Sequence, residues 1–186
     1  QLQGSVKLEA DRGATVFSVE GYYSRIDGYA SRQVIERRPA VVFGFRNKDV
    51  EFYGIESTLA WRALETEGGS LIIPLNGHWT EARSREGEGA LAEIAPGGFS
   101  LALQWESADF MLEWSGEWIA ARRNPRPLEV PIYRDTDAYW ISELRLEWSA
   151  SDSLGFSLLA HNLFDELAYH YLQPPVSAGP MPSSGD

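Results

Sequence analysis

Three histidines, several spaced carboxylates and one arginine-rich segment are the side chains of this 186-residue chain that could bind or transform a ligand. His78, His161 and His170 lack compact ligand spacing, and there is no cysteine to complete a zinc site, so no metal ion or cofactor is expected. Glu113 and Glu117, or Glu143 and Glu147, could be paired carboxylates for acid–base work. Four residues apart on one strand face they stand about 13 Å from each other, too far for a glycosidase pair. No Gly-x-Ser-x-Gly elbow and no phosphate loop occurs. The expectation is a protein that is not an enzyme. A net charge of −11 also speaks against nucleic acid as a partner. Against that background the cations of Arg122-Arg123-Asn124-Pro125-Arg126, with Tyr133 and Arg134 and a second group at Arg37-Arg38, stand out. They can receive an anion or a phosphate, or be ordinary solvated loop charge.

The elements that must position these residues are strands. Apolar and polar residues alternate from Glu51 to His161, as in Leu71, Ile73, Leu75, Trp79 and Phe99, Leu101, Leu103, Trp105. A period of two is a strand with two different faces. Eight strands are expected, over 3–10, 14–27, 40–63, 69–83, 97–107, 110–121, 138–149 and 154–164. Asn47-Lys48-Asp49 could turn a hairpin, but the apolar phase survives it, so 40–63 is read as one long strand projecting above a bilayer. The connections alternate between short and long: 28–39, 84–96 and 122–137 are long, and the Pro/Ser-rich tail follows.

The tryptophans follow the same alternation. Trp61, Trp105 and Trp148 lie beside short turns, Trp79, Trp118 and Trp140 toward long loops, and Trp114 mid-strand. All share the phase of the apolar face. Two aromatic girdles at opposite strand ends are what two membrane–water interfaces select. The opposite phase carries Glu56, His78, Gln104, Glu113, Glu117, Glu143, Arg145 and His161, which suits a watery lumen. The fold class expected is therefore all-β, an antiparallel transmembrane β-barrel segment. A small closed eight-stranded barrel with a structural or adhesive role, or a soluble β-sandwich binding module, are the alternatives.

Two segments carry a family resemblance. Tyr53-Gly54-Ile55-Glu56 resembles the aromatic-Gly-hydrophobic-Glu signature in the distal barrel of TonB-dependent outer-membrane receptors. Asn162-Leu163-Phe164-Asp165, with Tyr169 beyond, resembles the Asn-Leu-Phe-Asp…Tyr motif before their last strand. Tyr169 stands one residue further along than in the family pattern, and Ala95-Pro96-Gly97 replaces the usual basic-Pro-Pro re-entry. The resemblance implies about eight strands of a roughly 22-stranded barrel in the bacterial outer membrane. Residues 1–164 would be distal barrel strands. Residues 165–186 would be a long extracellular loop or truncated tail before a missing last strand. The implied role is uptake of a scarce nutrient: siderophore iron, haem, another metal complex, cobalamin or a carbohydrate. The implied partners are outer-membrane lipid or lipopolysaccharide, a small-molecule ligand, and the TonB energy-coupling complex through parts absent from this chain. Within that frame Arg122, Arg123, Tyr133, Arg134 and His170 are the candidate ligand contacts, while Asn162 and Asp165 read as structural.

Overall fold

The computed structural model describes residues 2–36, 42–87, 89–125 and 133–172. They form one antiparallel sheet of eight strands in sequence order: β1 (Leu2–Asp11), β2 (Thr15–Glu36), β3 (Val42–Thr66), β4 (Gly69–Ser84), β5 (Gly98–Glu106), β6 (Phe110–Ile119), β7 (Tyr139–Ser151) and β8 (Leu154–His161). Each strand pairs only with its chain neighbours, and β1 and β8 are edges. The closed eight-stranded barrel is thereby corrected: no ladder joins β1 to β8. So is the sandwich, because the described strands make one layer and not two.

Residues directly opposite in an antiparallel ladder share a face, so the pairing fixes both faces across the sheet. Phe17, Leu59, Leu75 and Leu101 lie in one row, and Trp105, Leu112, Leu146 and Leu158 in another. Gly77, Phe99, Trp118 and Trp140 make a third row near the long loops. There Phe99 stacks on Trp118 with centroids 5.5 Å apart and meets Trp140 edge-on at 5.8 Å. At the short turns Trp148 stacks on Phe156 at 5.7 Å. Isolated from lipid, this face leaves Leu8, Ile55, Trp61, Leu103 and Phe156 exposed, an apolar surface that only a non-aqueous neighbour explains. The opposite face shows Glu20, Glu56 and His78 in one row and Glu143 against His161 in another, the polar interior of a large barrel.

The strands differ in height. β5 has 9 residues and β6 has 10, which matches a bilayer crossing of about 9–11 residues. β2 has 22 and β3 has 25, and their pairing continues far past the loop-side aromatic row. Residues 42–63 thus belong to one strand and not a hairpin, and residues 40 and 41 lie outside the described residues. The sequence expectation for 28–39 is corrected: β2 runs on to Glu36 through a bulge between Ile26 and Tyr29, where Gly28 takes φ +73°. The bulge shifts the apolar phase and hides the continuing strand from a period-two reading.

Both family-like motifs are explained by local geometry. Tyr22 lies opposite Gly54, and its ring occupies the space a Cβ there would need, at 2.5 Å from its hydroxyl oxygen. The Tyr22 hydroxyl continues to the Thr80 hydroxyl at 2.5 Å, so Gly54 lets one tyrosine clamp β2, β3 and β4 together. Asn162 and Asp165 take φ of 53° and 52°, a left-handed conformation that Asn and Asp tolerate better than most residues. Asn162 Oδ1 accepts from the Glu166 amide at 2.9 Å, and its Nδ2 donates to the Glu166 carbonyl at 3.0 Å. The Leu163 amide donates to the Ser142 carbonyl at 3.0 Å. The motif ends β8 and ties its exit to β7.

Candidate ligand-contact surface at the long loops

Because β5 and β6 stop low, the upper part of β4 pairs with β3 on one side but has no strand on its β5 side among the described residues, and two loop segments cover it. The first is the β4–β5 connection. Leu91 and Ile94 pack with Val50 and Ala82 into a small core, flanked by Ile26, Tyr29 and Phe52. Its Glu93 Oε1 accepts from the Ser31 hydroxyl at 3.0 Å and the Arg32 amide at 2.9 Å. The second begins at Arg122, whose backbone exchanges two hydrogen bonds with Thr136. The Arg122 guanidinium reaches Glu81 on β4 at 2.5 and 3.4 Å, with the two side chains only 13% and 20% exposed. A forked, largely desolvated pair of this kind is strong and directional.

Further out, Arg123 faces Asp137 at 3.1 Å and Asp135 at 3.7 Å. Asn124 takes the Asp135 carboxylate on its amide at 2.9 Å and donates from Nδ2 to the Tyr133 carbonyl at 2.8 Å. The segment after β8 returns to this surface. Tyr171, 3% exposed, stacks on Tyr133 with centroids 5.6 Å apart, and His170 Nδ1 stands 3.4 Å from the Tyr139 hydroxyl.

Burial pushes the Tyr171 phenol up to about 12, against the opposing pull of the Arg122 cation. Tyr133 is also raised, first by burial and then by the negative charge of Glu93. Both phenols therefore stay protonated at neutral pH, so they offer hydrogen bonds and ring faces rather than a phenolate ligand for a metal. Among the described residues Glu93 Oε2, Arg122 Nε and the Tyr171 hydroxyl are buried without a hydrogen-bond partner. Buried polar atoms are normally paired, so these three stand out within the network. Among the described residues no group of three His, Asp or Glu side chains could hold a metal ion.

Of the sequence candidates, Arg122, Tyr133 and His170 enter this one network. Arg122 is not a free cation, as expected from the sequence, but the partner of Glu81. Arg123 points to two aspartates and Arg134 is exposed. Arg37, Arg38 and Arg126 lie outside the described residues. Glu81, Glu93 and Tyr171 were not among the candidates. Only Glu81 leaves a trace in the sequence: a charge in the apolar phase just beyond Trp79, where that phase has left the hydrocarbon.

No protein-family model matches the chain. No curated protein matches it either. Solved structures do. The copper transporter OprC superposes with a TM-score of 0.79 at 15% identity, over 91% of this chain and 26% of that one. The FrpB iron transporter from Neisseria meningitidis gives 0.64 at 11% identity, over 94% and 28%. The ferric-catecholate import receptor Fiu from E. coli K12 gives 0.55 at 15% identity, over 88% and 23%. The chain spans about a quarter of the length of each. At these identities the likeness shows the fold alone: an open stretch of antiparallel β wall like that found in these three transport proteins.

Proposed function

We propose that this chain is distal barrel wall, over residues 1–164, of a TonB-dependent outer-membrane receptor that imports a scarce nutrient. Residues 165–172 would then be extracellular loop, and residues 173–186 of the expected loop lie outside the described residues. The observation that carries the reading is the pairing register, which between the two aromatic rows keeps one face apolar and the other largely polar across the sheet, in a sheet that superposes on copper, iron and ferric-catecholate transport proteins. Those neighbours favour a metal complex as the cargo over cobalamin or a carbohydrate. The wall does no covalent chemistry. Its loops hold protonated tyrosines with an acceptor on Glu93 and a donor on Arg122 buried among them, a set that would suit the oxygen-rich periphery of a chelate once the loops open to it. Force for import would come through TonB acting on parts outside this chain.

The test is deletion of the whole gene, followed by uptake of labelled copper, ferric-chelate, haem and cobalamin in deleted and complemented cells, with membranes fractionated in parallel. Uptake of one metal complex should fall in the deletion strain and return only with an intact TonB system. Recovery of the protein in the soluble fraction, or unchanged uptake of every complex under limitation, would overturn the proposal.

A further inference from the structure

The lipid-facing phase of β2, β3 and β4 can be followed outward row by row. Gly21, Ile55 and Trp79 form one row. Two residues further, about 7 Å along the strands, stand Tyr23, Tyr53 and Glu81. Two further again stand Arg25, Glu51 and Arg83. Arg85 follows, with Nε 3.6 Å from Glu51 Oε1. Apolar, then aromatic, then charged is the order in which a bilayer's hydrocarbon, interface and headgroups succeed one another.

The cations are held on the tyrosines beneath them. The Arg25 guanidinium lies 5.6 Å from the Tyr23 ring centroid, and its Nε donates to the Tyr23 hydroxyl at 2.6 Å. Arg83 lies 5.9 Å from the Tyr53 centroid. Stacking of this kind orders a guanidinium while leaving its outer N–H groups open. Glu51 Oε1 lies 3.3 Å from Arg25 and neutralises part of the patch, and Asp27 lies 3.4 Å from Arg85. All three arginines are exposed.

We propose that Arg25, Arg83 and Arg85 form a docking site for a phosphorylated lipid headgroup of the outer leaflet, seated on the Tyr23–Tyr53 row. The inference rests on the outer-membrane reading above and deepens its lipid partner. It places an anion-binding role on the exposed arginines of the outer face of the wall and not on Arg122, whose guanidinium is only 13% exposed against Glu81. The occupant follows from charge complementarity and from continuity with the aromatic interface. A phosphate at this height belongs to a lipid anchored in the same bilayer, and arginine takes phosphate in a forked, directional contact.

The experiment uses the full-length receptor, purified from outer membranes in detergent and titrated with bisphosphorylated lipid A, dephosphorylated lipid A and inorganic phosphate. The phosphorylated lipid should bind more tightly than the other two. Arg25→Gln with Arg83→Gln should weaken it about 30-fold, at roughly fivefold per interfacial cation. Glu51→Gln, which removes an anion without removing a cation, should tighten it. Arg83→Lys, which keeps the charge but loses the fork and the stacking on Tyr53, should weaken binding less than Arg83→Gln, and Arg123→Gln should leave binding unchanged. Equal binding of both lipids, a double variant that binds as wild type, or complete competition by inorganic phosphate showing an adventitious ion only would overturn the proposal. Gel mobility of unheated samples reports whether each variant is folded. Protein found in the outer-membrane fraction without lipid A selectivity defeats this inference alone, whereas protein in the soluble fraction defeats the reading it rests on.

Discussion

Leu103 and Gln104 are adjacent on β5 and face opposite ways. Leu103 pairs with Trp114 in the apolar face, in the middle of the crossing, and Gln104 pairs with Glu113 on the polar face. Leu103→Arg places a guanidinium at mid-depth in hydrocarbon, which costs about 2–4 kcal/mol in a β-barrel. At 1.4 kcal/mol per factor of ten, that is roughly 30- to 1,000-fold in the folding equilibrium. Gln104→Arg places the same group beside the Glu113 and Glu106 carboxylates, with Glu106 already 2.5 Å from the Gln104 amide nitrogen. A solvated substitution of that kind changes stability by about 0.5 kcal/mol or less. The assay is guanidinium unfolding of the full-length receptor in lipid vesicles, followed by the loss of barrel mobility on unheated gels. The denaturation midpoint should fall clearly for Leu103→Arg and barely move for Gln104→Arg. Equal shifts, or a larger shift for Gln104→Arg, would refute the assignment of the two faces.

Other outcomes follow from single residues. Gly54→Val puts a branched side chain where the Tyr22 ring lies, so it should lower stability by about 1–3 kcal/mol through overpacking, with Tyr22→Ala partly restoring it in a double-mutant cycle. Asn162→Val should cost about 1–3 kcal/mol through strain at φ 53° and two lost hydrogen bonds, whereas Asn162→Gly should lose less; both are read from unfolding midpoints. The Tyr171 phenol holds its proton more tightly when folded, so the stability linked to it is complete below about 10 and is lost as pH rises toward about 12. Proteolysis of the long loops should accelerate across that window in the wild type and less so in Tyr171→Phe.

The strands and their phase are legible in the sequence because the side-chain period of a two-faced sheet is written residue by residue. Trp79, Trp118 and Trp140 can be assigned to one interface before any coordinates exist. The upper half of β2 is not legible in this way, since the bulge at Ile26–Tyr29 changes which residues face the core. The loop core of Leu91 and Ile94 against Val50 and Ala82 is equally hidden, because its partners come from different strands. The pairing of Arg122 with Glu81 spans 41 residues, and composition alone leaves Arg122 looking like an open cation. Tyr171 has no periodic context at all, and only the return of the tail onto Tyr133 reveals it. The arginine row above Tyr23 and Tyr53 has its signal in the sequence, but it becomes a patch only when three strands are placed in register.

The central claim, that this sheet is barrel wall with lipid on one face and water on the other, is tested most directly by single-cysteine scanning of β5. The chain contains no cysteine, so each variant adds one defined thiol to it. The full-length receptor is labelled in intact outer membranes with a membrane-impermeant maleimide, after removal of any lumen occupant with denaturant that leaves the barrel folded. Ser100, Ala102 and Gln104 positions should react and Leu101 and Leu103 positions should not, with a strict period of two. Reaction at every position, at none, or at the Leu101 and Leu103 positions alone would contradict the account.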